Sequence, residues 1–160
     1  MATQKFDPEK AENLGEIEKQ FAVVAVEHAQ AYWNLLEKVQ PSTLRLTKID
    51  DEIFEDLSRT FPELVSNPSQ LERLDEDIMK SAANKKRWRE FIMPYEKKVT
   101  DYNFGTLIRT DSREEYGEVN SLFVTRMQFF AIEIARNRLG LNNLVHEIAQ
   151  KAAQRAPQTL

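Results

Sequence analysis

Between Met127 and Ala135 seven of nine residues are apolar: Met127, Phe129, Phe130, Ala131, Ile132, Ile134 and Ala135. Wound at 3.6 residues per turn they nearly surround the axis, and such a helix has to be covered on every side. Thr125 to Arg138 therefore reads as a buried central helix, although an apolar run this short also fits a buried strand. Arg136, Asn137 and Arg138 suit a helix C-terminus, and Gly140 supplies the stop. A chain of 160 residues fits one domain with a real core, and 41% hydrophobic residues are enough to fill it.

The remaining segments are those that would cover such a helix. Leu14, Ile17, Phe21, Val24, Ala25, His28, Tyr32, Leu35, Leu36 and Val39 recur at three- and four-residue steps, which predicts one long amphipathic helix ended by Pro41. Ser42 to Lys48 is a connector with Leu44 and Leu46 turned inward. Asp50 and Asp51 are placed to cap a second helix carrying Ile53, Phe54, Leu57 and Phe61. Pro62 and Asn67-Pro68 break the chain. Ser69 opens a short helix with Leu71, Leu74, Ile78 and Met79. Ser81 starts the next, with Trp88, Phe91, Ile92, Tyr95 and Val99, which Pro94 kinks or shortens. Phe104, Leu107 and Ile108, interleaved with threonines and Gly105, predict a strand, then a polar turn near Ser112 to Gly117 and a return strand around Ser121 to Val124. A last amphipathic helix carries Leu141, Leu144, Val145, Ile148, Ala149 and Ala152. The expected fold class is mainly α (α+β), a single-domain helical assembly with one short β-hairpin. Its expected organisation is a flexible segment at 1–12, a globular helical domain at 13–140 with the hairpin near 104–124, and a C-terminal amphipathic helix and tail at 141–160.

Composition narrows the function. Charged residues are 30% of the chain with a net charge of −4, a mixed solvated surface unlike that of proteins living on phosphate contacts. The absence of cysteine excludes disulfides, thiolate zinc sites and a cysteine nucleophile. No apolar stretch approaches the roughly 18 residues needed to span a bilayer. Met1 to Lys10 has no signal-peptide core, and Asn67-Pro68-Ser69 has proline in the forbidden place of a glycosylation acceptor. A cytoplasmic location is expected. With only Gly15, Gly105, Gly117 and Gly140, neither the dinucleotide nor the nucleoside-triphosphate glycine loop can be built, so no nucleotide or other cofactor is expected on this chain.

Each residue group with chemical potential has an ordinary reading beside it. His28 falls on the apolar stripe of the first helix and lacks an evident partner for general-base work; His146 falls on the polar side of the last helix. Asp75-Glu76-Asp77 matches the aspartate-x-aspartate pair of metal-dependent sugar-nucleotide transferases, but in a helical pattern alternate side chains diverge. A sugar-metabolism enzyme would need that metal; no metal site and no catalytic residue are expected. Lys85-Lys86-Arg87-Trp88-Arg89 suits either a solvated helix face anchored by Trp88 or a contact to RNA or ribosome, and no second basic stripe supports the latter. Asp101-Tyr102-Asn103-Phe104-Gly105 through Arg109 is either a structural turn leading into an edge strand or a protein-recognition surface.

Two blocks, Asp101-Tyr102-Asn103-Phe104-Gly105-Thr106-Leu107-Ile108-Arg109 and Arg126-Met127-Gln128-Phe129-Phe130-Ala131-Ile132-Glu133-Ile134-Ala135-Arg136-Asn137-Arg138, closely resemble the eukaryotic polysaccharide-biosynthesis-domain-containing protein family. Leu46-Thr47-Lys48-Ile49-Asp50-Asp51 and His28-Ala29 with Tyr32 match as well, so the likeness runs from about 20 to 140. The resemblance implies a dedicated, ATP-independent co-translational chaperone of translation elongation factor 1-alpha, not an enzyme. It would engage the nascent GTP-binding domain, favour its GTP-bound folded form, and be brought to the ribosome through the nascent polypeptide-associated complex. GTP would be bound by the client, and neither a membrane nor sequence-specific nucleic acid is implied. Candidate client contacts are Tyr102, Asn103, Phe104, Arg109, Arg126, Gln128, Arg136 and Asn137. Candidate recruitment residues are Leu141, Leu144, Val145 and Ile148; burying four such aliphatics in a partner groove would contribute about 6–12 kcal/mol gross. The same helix could instead pack on its own domain.

Overall fold

The computed structural model describes residues 14–155, with side chains from Ala22 onward. The segment 1–12, the tail from Pro157 and the side chains of Leu14, Ile17 and Phe21 lie outside the described residues. The chain forms α1 (Leu14–Lys38), α2 (Asp50–Thr60), α3 (Pro62–Ser66), α4 (Ser69–Glu72), α5 (Glu76–Met79), α6 (Ala82–Ile92), β1 (Gly105–Ile108), β2 (Leu122–Thr125), α7 (Arg126–Arg138) and α8 (Asn143–Arg155). Short 3-10 turns cover Pro41–Thr43 and Met93–Tyr95. This is the mainly α fold with one short hairpin that the apolar patterns predict.

α7 is the central element. Every residue from Phe129 to Asn137 is buried, because α2, α4, α6 and both strands pack around it. Tyr32 of α1 meets Phe129 edge-on at 5.0 Å between ring centroids. Both ends of α7 are closed by local chemistry. At the start, Thr125 Oγ1 accepts from the Gln128 amide at 3.1 Å and Gln128 Oε1 accepts from the Thr125 amide at 2.9 Å, a capping box. The Arg126 amide donates to the Phe104 carbonyl at 2.6 Å and the Met127 amide to the Tyr102 carbonyl at 2.8 Å. The four donors that a helix start leaves free are thus all used. At the end, Gly140 takes φ +77°, its amide donates to Asn137 O, and Leu141 N donates to Arg136 O at 2.8 Å. That is a Schellman closure, and it requires the left-handed backbone that glycine adopts without strain.

The hairpin pairs antiparallel, with Thr106 opposite Val124 and Ile108 opposite Leu122. Those four side chains are buried, while Phe123 on the other face is 52% exposed. The Phe123 ring lies over Gly105, where an added Cβ would come within 2.1 Å of it. A second aromatic group, Phe61 stacked on Trp88 at 4.3 Å with Phe91 edge-on to both, joins the α2–α3 junction to α6.

Four expectations change in detail. The buried stripe of α1 is narrower than its periodicity: Ala25, Ala29, Tyr32 and Leu36 are inside, whereas Val24, Leu35 and Val39 are exposed. Asp50 does not cap α2 but turns back to accept from the amides of Leu46 and Thr47. The single helix expected from Ser69 to Met79 is two one-turn helices, because Arg73 bridges Asp111 and the Leu74 amide donates to Thr110 O at 2.9 Å, which pulls the backbone out of helical pairing. The last helix starts at Asn143, leaving Leu141 in the preceding turn, and it packs along α1.

Candidate functional site: a basic pocket at the start of the central helix

The structure divides the predicted contact residues into two groups. Arg109, Arg136 and Asn137 lie in the interior, so they present no side chain to a client in this conformation. Glu133 stands between the two guanidiniums: Arg136 Nη1 is 2.7 Å from Glu133 Oε2, and Arg109 Nη2 is 3.4 Å from Oε1. All three side chains have zero exposure. Tyr32 donates to Glu133 Oε1 at 2.9 Å, and Asn142 donates to the same oxygen at 3.0 Å and to Asn137 Oδ1 at 2.7 Å. Arg136 also donates to the Leu71 and Thr110 carbonyls, and Arg109 to the Ser112 carbonyl and Asn142 Oδ1. Burial pushes the Glu133 carboxyl up, but Arg136 and Arg109 outweigh it, and the group is held below the ordinary carboxylate range. Burial, then the neighbouring carboxylate, raises Tyr32 well above the usual phenol range. These groups tie α1, α4, the segment after β1, α7 and the turn before α8 together.

Tyr102, Asn103, Phe104, Arg126 and Gln128 are brought together at the first turn of α7. Tyr102 and Phe104 are held there by the carbonyl bonds already described, and Asp101, at φ +58°, reverses the chain just before them. Gln128 is spent on the capping box, while Asn103 is exposed.

Beside this turn lies a pocket of about 220 Å³. One wall is Thr47, Lys48 and Ile49; another is Lys98, Val99 and Thr100; Arg126 and Phe130 complete it. Among the described residues its lining has three cations and no acid. The Thr47 wall is fixed by Asp50, itself buried, which accepts from Leu46 N at 2.8 Å, Thr47 N at 2.7 Å and Thr47 Oγ1 at 2.6 Å. The Arg126 guanidinium stands 5.5 Å from the Phe130 ring centroid, and its Nε is buried without a hydrogen-bond partner. Lys98 Nζ lies 2.9 Å from Glu52 Oε1, whereas Lys48 and Arg126 have no ion-pair partner among the described residues. Lys48 and Lys98 were not among the predicted contacts. Lys48 was legible, since it sits inside the Leu46 to Asp51 block; Lys98, in a plain Lys-Lys pair, carried no signal.

Of the other singled-out residues, His28, Asp75, Arg87 and Trp88 have structural partners, while His146 is half-buried with its Nδ1 unpartnered. His28 Nδ1 is 3.0 Å from Thr106 Oγ1 and the ring meets Phe129 at 5.0 Å; burial, then Arg126, lowers its pKa. Asp75 caps α5 by accepting from the Ile78 amide at 3.1 Å, with Glu76 and Asp77 exposed beside it. No group of three metal-capable side chains occurs among the described residues. In the basic cluster Arg87 donates to Glu63 and to the Thr60 carbonyl, and Trp88 is core. Of the recruitment residues, Val145 is buried in the domain's own core and Leu141 is half-buried, while Leu144 and Ile148 are 41% and 55% exposed.

Comparison with known proteins places these segments. Residues 17–147 match the family model described as PBDC1 protein. The chain belongs to the PBDC1 family. It is 58% identical over 145 residues to the PBDC1 homolog of Schizosaccharomyces pombe, covering 91% of this chain and 98% of that protein. It is 41% identical over 139 residues to human PBDC1, covering 85% of this chain and 58% of the human one. The solution NMR structure of protein yst0336 from Saccharomyces cerevisiae superposes with a TM-score of 0.78 at 50% identity, over 91% of this chain and 99% of that one. The PBDC1 match thus takes in the pocket, the buried network and the first turn of α8. No helix of the described residues is long and apolar enough to cross a membrane.

Proposed function

We propose that this PBDC1 protein is an ATP-independent co-translational chaperone that binds the nascent GTP-binding domain of translation elongation factor 1-alpha and promotes its GTP-bound folded state in the cytoplasm. The observation that carries the reading is convergence: the blocks Leu46 to Asp51, Asp101 to Arg109 and Arg126 to Arg138 meet at the pocket and first turn of α7. Their meeting point is an accessible surface with rigid walls, the kind of feature a protein partner engages.

A GTPase domain gains stability from its nucleotide, and a chaperone can bias that equilibrium only by binding one client state better than the other. Contacts to the client segment ordered by the terminal phosphate would do this. GTP then sits on the client; this chain supplies no catalytic residue, metal or cofactor. α8 suits recruitment by the nascent polypeptide-associated complex at the ribosome, through exposed Leu144 and Ile148 rather than Val145. The test is capture of newly translated elongation factor 1-alpha by the folded protein with and without GTP. Specific, GTP-responsive capture is expected; none in either state, with a well-folded bait, overturns the proposal.

A further inference from the structure

We infer that the Lys48–Lys98–Arg126 pocket takes an acidic segment of its protein partner, with an apolar side chain on its floor and carboxylates on its cationic rim. The apolar part of its lining is Ile49, Val99 and Phe130. The rim carries three cations, Lys48, Lys98 and Arg126, in a chain whose net charge is −4, while the nearby carboxylates Glu52 and Asp50 are spent on Lys98 and on the Thr47 turn. Only Lys98 is already paired, with Glu52; Lys48 and Arg126 have no ion-pair partner among the described residues. The α7 amides do not contribute, because all four are used inside the protein.

Size selects the class of occupant. About 220 Å³ is below the roughly 300–1,000 Å³ of small-molecule sites, so the pocket admits a side chain rather than a nucleotide. Nucleic acid would need a continuous basic surface, and in the Lys85 to Arg89 cluster Arg87 is spent on Glu63. The walls are set before binding: Asp50 holds the Thr47 turn and Phe130 supports Arg126, so little ordering is required of the site.

The inference rests on the protein-binding reading, and two measurements separate their failures. In the first, the 15N-labelled protein is titrated at low salt with a hexapeptide alternating glutamate and leucine, with inorganic phosphate, and with a single-stranded RNA. Saturable peptide shifts at Thr47, Lys48, Thr100 and Arg126, about tenfold weaker in Lys48→Glu and fading as salt screens the charges, are expected. No peptide shift at these amides, equal saturation by phosphate alone, or saturation by RNA spreading to Lys85 and Arg89 overturns the inference. In the second, Lys48→Glu is compared with the native chain for capture of newly translated elongation factor 1-alpha. Unchanged capture overturns the pocket as the client's acidic site while the chaperone reading stands. Loss of capture at an unchanged melting temperature supports both; capture by neither chain sinks the chaperone reading and leaves the peptide titration to decide the pocket.

Discussion

In its second half α7 carries Glu133 and Arg136, sealed at zero exposure with Arg109, the carboxylate paired to both guanidiniums and Arg109 Nε alone of their polar atoms left without a partner. In its first turn the same helix carries Arg126, over the Phe130 ring, without an ion-pair partner among the described residues and lining an accessible pocket. In the sequence the three arginines 109, 126 and 136 look alike. A buried guanidinium persists only with a carboxylate and carbonyls around it, so Arg109 and Arg136 are committed to holding the domain together. Arg126 has no carboxylate partner among the described residues and lines the pocket, which is what a binding residue needs.

The sharpest way to break this contrast is Glu133→Ala. It leaves two buried guanidiniums without their carboxylate and should cost about 3–5 kcal/mol, lowering the melting temperature by about 10 °C. A denaturant midpoint close to the native one would mean that the network is not structural. Acid probes the same group. The folded carboxyl titrates below its unfolded value, so its contribution is complete above the unfolded pKa of about 4.3 and is lost as pH falls through the folded one. Urea melts taken downward from about pH 4.3 should therefore lose stability less steeply in Glu133→Gln than in the native chain.

Asp50→Ala moves to the pocket. It removes three bonds to Leu46 and Thr47 and should cost about 1–2 kcal/mol. Amide exchange at Thr47 and Lys48 should rise with it, and an unchanged exchange rate would show that the wall does not depend on Asp50. The smallest stability effect is expected for Lys48→Gln, within about 0.5 kcal/mol, because Lys48 is exposed and supports no core contact. A larger loss would place Lys48 with the structural cations. Gly105→Ala should be nearly as mild, since the clashing Phe123 ring is exposed and free to swing into solvent, which a rise in Phe123 side-chain mobility by NMR would report.

Much of the fold was legible because its signals are local. Thr125 and Gln128 are three residues apart, Ser81 caps α6 from the adjacent position, and Gly140 closes α7 within one turn. Where the reading failed, a distant strand-like pairing won: Arg73 and Leu74 pair with the segment after β1, and one expected helix became two. The site was only half legible. Arg126, Tyr102 and Phe104 do meet, but Arg109, Arg136 and Asn137, polar residues of the same two blocks, are inside.

By itself the sequence determined a helical domain organised around Met127 to Ala135, the hairpin before it, and the family to which the chain belongs, because periodicity, caps and motif blocks are written in neighbouring residues. The tertiary structure alone decided which cations are structural and which line the pocket. Glu133 meets Tyr32 across 101 residues and Arg109 across 24, and the pocket joins walls from Thr47, Lys98 and Arg126. Burial depends on what packs over a side chain, and for a charged one that determines whether its hydrogen bonds are spent inside the fold or left for a partner.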